Sequence, residues 1–446
     1  MNNRIIKVIL LTAMLGGATM ATSACKSGDG KTHVKFWHTM GHSNQELLNR
    51  MIEDFNKVYP DVVIEHAAQG DYGALSEKLR TAIPAGTTPT MAFCYPDHVA
   101  NYMDSNAVIP VDDFIKDPEL GFKEEDGAES DYVEAYWKEG QQYQKSGIYS
   151  VPFAKSTEVL FYNKTKFDQY GLTVPTTWAE MWSTCQYIKT NIMDAGLEPT
   201  LVMPMGYDSD SNLFITLCQQ RGIGYTTNDN VSKASDHILF NNPQAKAMVT
   251  ELKGYYEAGL FATKGCLENN AYTSTYFTEE KTWMSIGSTG GTSYQTSSNF
   301  TVAVAPAPVT GSGEGQNLYI SQGPSICFFR KGSKAQKQAA WNFYKFITRN
   351  FNTAAYSALT GYEPVRSSAY TLPAYQNYLA GTTLQATVSG VTATLNGRYY
   401  NSAVFYGSET ARAQVGTIFA NVFLGTASLD DAFANAYSKT VEATKL

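Results

Sequence analysis

Between Thr32 and Tyr95 the chain alternates strand and helix periodicities, and this restricts its fold more than any other feature. "THVKFWH" (32–38) alternates polar and apolar residues as a strand does. Ser43 and Glu46 then stand in capping-box spacing, and Leu47, Leu48, Met51, Ile52, Phe55, Val58 and Tyr59 keep helical spacing until Pro60. "DVVIEHA" reads as a second strand. "YGALSEKLRTAI" reads as a helix with Leu75, Leu79 and Ile83 inward, and "TMAFCY" as a third strand. This order predicts a mostly parallel sheet covered by helices.

The pattern restarts after residue 160. "VPTTWAEMWSTCQYIK" is a helix entered through Pro175, "LEPTLVMPM" a strand, "NPQAKAMVTELKGYYEAG" a long helix and "KTWMSIGS" a strand. "FTVAVAPAPV" and "SICFF" bracket a Gly-rich loop, "AQKQAAWNFYKFIT" is a helix, and the remainder is mostly helical. Two α/β lobes in one chain follow. Between the two patterns lies "YSVPFAKSTEVLFYNK" (149–164), which sets Lys155, Ser156, Thr157 and Glu158 between apolar runs. Four polar groups in mid-strand are costly unless something satisfies them. A chain crossing between lobes, a ligand site and a surface turn would each do so.

The first residues set the compartment. Arg4 and Lys7 precede the short apolar "VILLTAMLGG", and "TSAC" ends in small residues, which predicts a secretory signal over 1–24. The small residues before Cys25 and the polar "KSGDGK" after it resemble a bacterial lipoprotein signal, with Thr22 where Leu is usual. Cys25 is then the lipidated first residue, and 25–31 a linker; plain cleavage leaving a free thiol is the other reading. The formal charge of −7 becomes more negative once Arg4 and Lys7 leave, and no basic cluster exists, so no nucleic-acid partner is expected. No later stretch reaches the roughly 18 apolar residues of a spanning helix. Cys94, Cys185, Cys218, Cys266 and Cys327 are scattered, as neither a zinc module nor a disulfide framework would be.

Enzyme signatures fail one by one. "GKT" (30–32) lacks the phosphate loop's earlier glycine, and "DSDSN" (208–212) has Leu213 where a calcium loop needs its turn glycine. His38 and His42 are placed in a loop by Gly41, and no GxSxG or HExxH occurs. No catalytic residue, metal or cofactor is expected. What stands out is 29 Tyr and 22 Phe beside small polar loops at strand ends: "GDY", "KST", "GSTGGTS", "SQGPS" and "TGYEP". In open α/β sheets such loops bind ligands. Arg412 is a separate anomaly. Val415, Ile418, Phe419, Val422 and Phe423 define a helix from near Ser408, so Arg412 falls near its start, where the macrodipole disfavours a cation. An ion pair with Glu409 and a guanidinium placed for an anion explain it equally well.

Taken in order, "VKFWHTM", "FNKVYPDVVIE", "GDYGALSEKLRTAIPAGTTPTM", "VPFAKSTEVLFYNKTKFDQYGL", "VPTTWAEM" and "ALTGYEPVRSSAY" resemble the bacterial extracellular solute-binding proteins of ABC importers. The resemblance is to the group that binds sugars and glycerol phosphates. It implies a two-lobed periplasmic-binding-protein fold with a ligand cleft between lobes, lobe 1 spanning 32–152 and 300–350 and lobe 2 spanning 153–299 and 351–446. It implies that "VPFAKSTEVLFYNK" crosses between lobes, with Ser156 at the cleft and Lys155 and Glu158 solvated. The branch most similar binds sn-glycerol 3-phosphate; its pattern puts Tyr72 against the glycerol and Ser156, Ser288, Thr289, Gly323, Tyr362 and Arg412 around the ligand. Tyr95 is an added aromatic wall. The branch's glutamate is replaced, with Pro96 in its place and Asp97 one later, and "GYDSDSN" lacks the branch's tryptophan. Trp37 and Trp283 are weaker candidates. The function implied is capture of a glycerol phosphate or small sugar by a monomeric lipoprotein and delivery to a membrane permease. A neutral-oligosaccharide receptor, or less readily a secreted carbohydrate-active enzyme, is the alternative.

Overall fold

A computed structural model of the protein describes residues 28–229, 231–395 and 397–444, apart from the Ser43 side chain. The expected leader, residues 1–24, and Cys25 lie outside them. The chain divides into two compact units, residues 28–155 with 322–380 and residues 156–321 with 381–444.

Strands β1 (Thr32–His38), β2 (Val62–Ala68), β3 (Met91–Cys94), β4 (Val108–Ile109) and β5 (Val151–Pro152) come from the first segment of unit 1. β6 (Glu158–Asn163), β7 (Met205–Tyr207), β8 (Phe261–Thr263), β9 (Met284–Ser288), β10 (Val302–Pro306) and β11 (Tyr319–Ile320) follow in unit 2. β12 (Ser325–Phe329) returns to unit 1 and β13 (Tyr399–Tyr400) to unit 2. The first sheet runs β2-β1-β3-β12-β4, with β5 also on β12. β1 is parallel to β2 and β3, as consecutive strand–helix–strand units require. β12 is antiparallel to its neighbours, so the sheet is mixed. Helix Tyr72–Ala85 begins where Asp71 accepts from the Ala74 amide and ends at left-handed Gly86. Helix His42–Val58 is capped by Gly41, two residues ahead of the expected Ser43 cap. Phe36, Phe55, Phe93 and Phe343 meet edge-on in the core.

The second sheet runs β10-β6-β9-β7-β8. β7, β8 and β9 are parallel, while β6 is antiparallel to β9 and β10. One consequence controls the site: the start of β6 and the ends of β7, β8 and β9 share one edge. Helices Trp178–Ile188, Asp210–Arg221, Ser408–Phe423 and Leu429–Ala443 bury Trp178, Phe214, Phe419 and Phe433 in one core. The "LEPTLVMPM" strand is confined to Met205–Tyr207, because the amides of Val202 and Met203 turn to the Lys281 carbonyl instead.

The expected lobe boundaries at 300 and 350 shift downstream. β10 zips onto β6 from Val302 opposite Asn163 to Pro306 opposite Val159, which keeps this stretch in unit 2. Helix Asn350–Thr360 and its sequel stay in unit 1, where Asn352 donates to the Phe346 carbonyl and Val133 to the Val365 carbonyl.

Candidate functional site

The division between units falls inside the polar interruption, between Lys155 and Ser156. Lys155 and Glu158 are not solvated as expected; they are 0% and 4% exposed. Lys155 ion-pairs with Glu139 and donates to Ser325 Oγ at 3.1 Å, and its backbone bridges to Glu363. Thr157 donates to the Ile320 carbonyl at 2.8 Å. Glu158 accepts from Tyr207 at 2.5 Å and from Asn212 at 2.7 Å. Lys155, Thr157 and Glu158, three of the four costly polar groups, are thus satisfied by protein.

In unit 1 the candidate residues gather as an aromatic set. Tyr72 opens helix Tyr72–Ala85 and stacks on Tyr95 with ring centroids 4.1 Å apart. Tyr95 caps helix Pro96–Asp104 and meets His98 edge-on. Tyr362 follows left-handed Gly361 and lies 6.0 Å from Tyr356. The Tyr72 phenol is pushed well up, first by burial and then by Tyr95 and Tyr362. Burial lifts Tyr362 to about 12. Tyr72 and Tyr362 stay neutral at physiological pH, presenting apolar faces with hydroxyl tips. Tyr356, almost fully buried, is a member that sequence reading missed. Asp97 is half-buried in the first turn of its helix and accepts from the His98 amide at 3.0 Å. Gly323, buried at φ 97°, allows the turn into β12 that a side chain would strain. Trp37 is half-buried under Lys78.

In unit 2 the candidates lie along the shared edge. Ser156 is 4% exposed, and Ser288 stands opposite Glu158 across the β6–β9 pair, exposed, accepting from the Gly290 amide. Thr289 is fully buried; its amide donates to the Thr157 carbonyl, so it fastens the two strand ends. Helix Ser408–Phe423 starts at the predicted residue behind Gly407, and Arg412 falls in its second turn, half-buried. Its Nη2 donates to Asn212 Oδ1, whose amide in turn donates to Glu158. Burial pushes the Glu158 carboxyl up to about 7, against the Tyr207 and Asn212 hydrogen bonds and the Arg412 charge. Tyr207, Asn212 and Glu158 were not expected at this place; the only signal was a carboxylate interrupting an apolar strand. Trp283, by contrast, is core, stacked on Tyr170.

His38 and His42 are not loop neighbours. His38 ends β1, fully buried, and His42 opens the following helix, exposed. Asp208 is tied to Thr273, and Asp210 to Thr263 and the Gly265 amide. Among the described residues no group of three His, Cys, Asp or Glu is placed to hold a metal, and the five described cysteines are free thiols.

Two mixed α/β units bearing polar strand-end loops define a class of binding protein, and the comparisons agree. Residues 50–383 match the bacterial extracellular solute-binding protein family, and the chain belongs to it. It is 28% identical over 357 residues to the sn-glycerol-3-phosphate-binding periplasmic protein UgpB of Pectobacterium atrosepticum, covering 78% of this chain and 76% of that one. The Escherichia coli O1:K1 protein of the same name is 25% identical over 374 residues, covering 82% and 80%. Among solved structures, UgpB of Mycobacterium tuberculosis in complex with glycerophosphocholine superposes with a TM-score of 0.72 at 20% identity, covering 93% of this chain and 98% of that one. The GacH receptor of Streptomyces glaucescens gives 0.73 at 17%, covering 93% and 100%. The protein is an exported substrate-binding component of an ABC importer, with a small-molecule ligand and a membrane permease as its partners.

Proposed function

We propose that the ligand is a glycerol phosphate, either glycerol 3-phosphate or a glycerophosphodiester. The observation that supports this most is Arg412: a half-buried guanidinium in the second turn of its helix, bonded to a neutral amide on the same unit as the Ser156 and Ser288 strand ends. A guanidinium held in one plane binds phosphate oxygens through parallel N–H donors. The relatives named for glycerol 3-phosphate favour the same chemistry. Ser156, Ser288, Thr289 and Gly323 are proposed as hydrogen-bonding groups, Tyr72, Tyr95 and Tyr362 as walls for the polyol, and Asp97 as a stand-in for the branch's glutamate.

The stacked Tyr72–Tyr95 pair favours a second reading, a small neutral sugar whose face lies on an aromatic ring. The protein is proposed to act as a monomer without catalytic activity and without nucleic-acid partners. Anchoring through a lipid on Cys25 is part of the proposal, and radiolabelled palmitate incorporation lost in Cys25→Ser tests it.

A thermal-shift titration decides the ligand. Glycerol 3-phosphate or glycerophosphocholine raises the melting temperature by mass action, and Arg412→Ala abolishes the shift. Stabilisation by maltose-type sugars alone, untouched by the substitution, refutes the phosphate reading and supports the sugar.

A further inference from the structure

Glu158 takes no place in the proposed contacts, yet the fold links it to Arg412 through a single residue, Asn212. Its Oε1 accepts from Asn212 Nδ2 at 2.7 Å, and Asn212 Oδ1 accepts from Arg412. Its Oε2 accepts from the Tyr207 hydroxyl at 2.5 Å. The amide of Asn212 is thereby held in one orientation, oxygen toward the guanidinium and nitrogen toward the carboxylate. Deprotonated, Glu158 offsets part of the guanidinium charge across that single amide; protonated, it no longer competes with an arriving anion for that charge.

Building on the proposed anion site, we infer that Glu158 is a positioning residue that couples anion binding to proton uptake, the protonated form being the one that binds. The coupling is reciprocal, so a bound anion raises proton affinity by the factor by which the proton raises anion affinity. Coulomb attraction between the two is strengthened because Glu158 is buried and Arg412 half-buried.

The groups around Glu158 leave it as the responsive member. From β7 and its sequel come the Tyr207 hydroxyl and the Asp208 carboxylate; Asp208 is already tied to the Thr273 amide at 2.7 Å and hydroxyl at 3.0 Å. From helix Asp210–Arg221 comes the neutral Asn212. From β13 comes Tyr400, whose hydroxyl donates to Thr216 at 3.0 Å. From helix Ser408–Phe423 comes Arg412, with Glu409 one turn earlier. Ser288 faces Glu158 from β9. Burial has already brought the Glu158 carboxyl to about 7, where a nearby charge decides its state.

Glycerophosphoglycerol is the suitable probe, because a phosphodiester keeps one charge across the range. Calorimetric titration of the purified protein from pH 5.5 to 8.5, in buffers of different ionisation enthalpy, reads affinity and protons together. The dissociation constant is expected to rise several-fold per pH unit above pH 7, up to about tenfold at full one-proton linkage, with proton uptake approaching one. Glu158→Gln flattens the profile near its acid-side level while Asp208→Asn leaves it sloped. Tyr207→Phe, which removes a donor to the carboxylate, moves the midpoint to higher pH. A flat profile with no proton uptake overturns the coupling, and if Arg412→Ala still abolishes binding the anion site itself stands. Absence of phosphate-ester binding at every pH refutes both.

Discussion

His38 ends β1 fully buried, and its imidazole lies in a directional chain. The Met40 amide donates to its Nδ1 at 3.1 Å, which makes Nδ1 an acceptor and puts the proton on Nε2. Nε2 lies 2.9 Å from His66 Nδ1, and His66 Nε2 lies 2.8 Å from Asn49 Oδ1. Every link is satisfied with both rings neutral, and a second proton on either ring sets two donors against each other. Burial, and then His66, lower the His38 pKa from 6.5 to about 4. The unfolded chain therefore takes a proton near pH 6.5 that the folded chain refuses until about pH 4. Stability from this group is complete above pH 6.5 and is lost as pH falls toward 4. The difference amounts to about 3 kcal/mol, of which about 2–3 kcal/mol is lost between pH 7 and 4.5. His66, also lowered by burial, acts in the same direction. Urea unfolding of the protein and of His38→Asn at several pH values tests this, with amide exchange over β1 and β2 assigning the transition to unit 1. The variant is less stable at pH 7, yet its stability falls less steeply as pH is lowered. Parallel profiles in the two proteins would refute the argument.

Two further substitutions examine the core. Lys155→Met alone strands the buried Glu139 carboxyl and is expected to cost about 3–5 kcal/mol by urea unfolding, whereas Lys155→Met with Glu139→Leu recovers most of it. Gly140→Ala places a methyl 1.8 Å from the Ser150 carbonyl oxygen, and a loss of roughly 1–3 kcal/mol, seen as a lower melting temperature, is expected.

Much of this molecule was legible because period reveals burial. β1, β2, β3, β9 and β12 and helices Tyr72–Ala85, Pro243–Glu257 and Lys334–Ile347 sit where alternation or helical spacing put them. The start of the Arg412 helix was readable from its apolar stripe. Pairing direction was not, since a returning strand such as β12 has the same pattern in either orientation. The lobe boundaries were misjudged for the same reason: nothing local in "TVAVAP" says that β10 belongs beside β6. At the site, sequence named the strand-end loops but misread Lys155 and Glu158, because a charged residue reads as solvated until its partners are known. Those partners, Glu139 for Lys155 and Tyr207 and Asn212 for Glu158, are remote in sequence.

β12 is inserted between β3 and β4, and next to it Arg330 is bonded to Asn106 across 224 residues of chain. Unit 2 likewise waits for helix Ser408–Phe423 to complete its core. A nascent chain emerging from the ribosome therefore lacks β12 in its first sheet until nearly three quarters of it has been made, and lacks the helix that completes the unit 2 core until later still. Non-local pairing of this kind folds slowly, since loop closure precedes its reward. For a polypeptide destined to be threaded across a membrane, that delay is an asset: the topology postpones its own completion until the far side is reached.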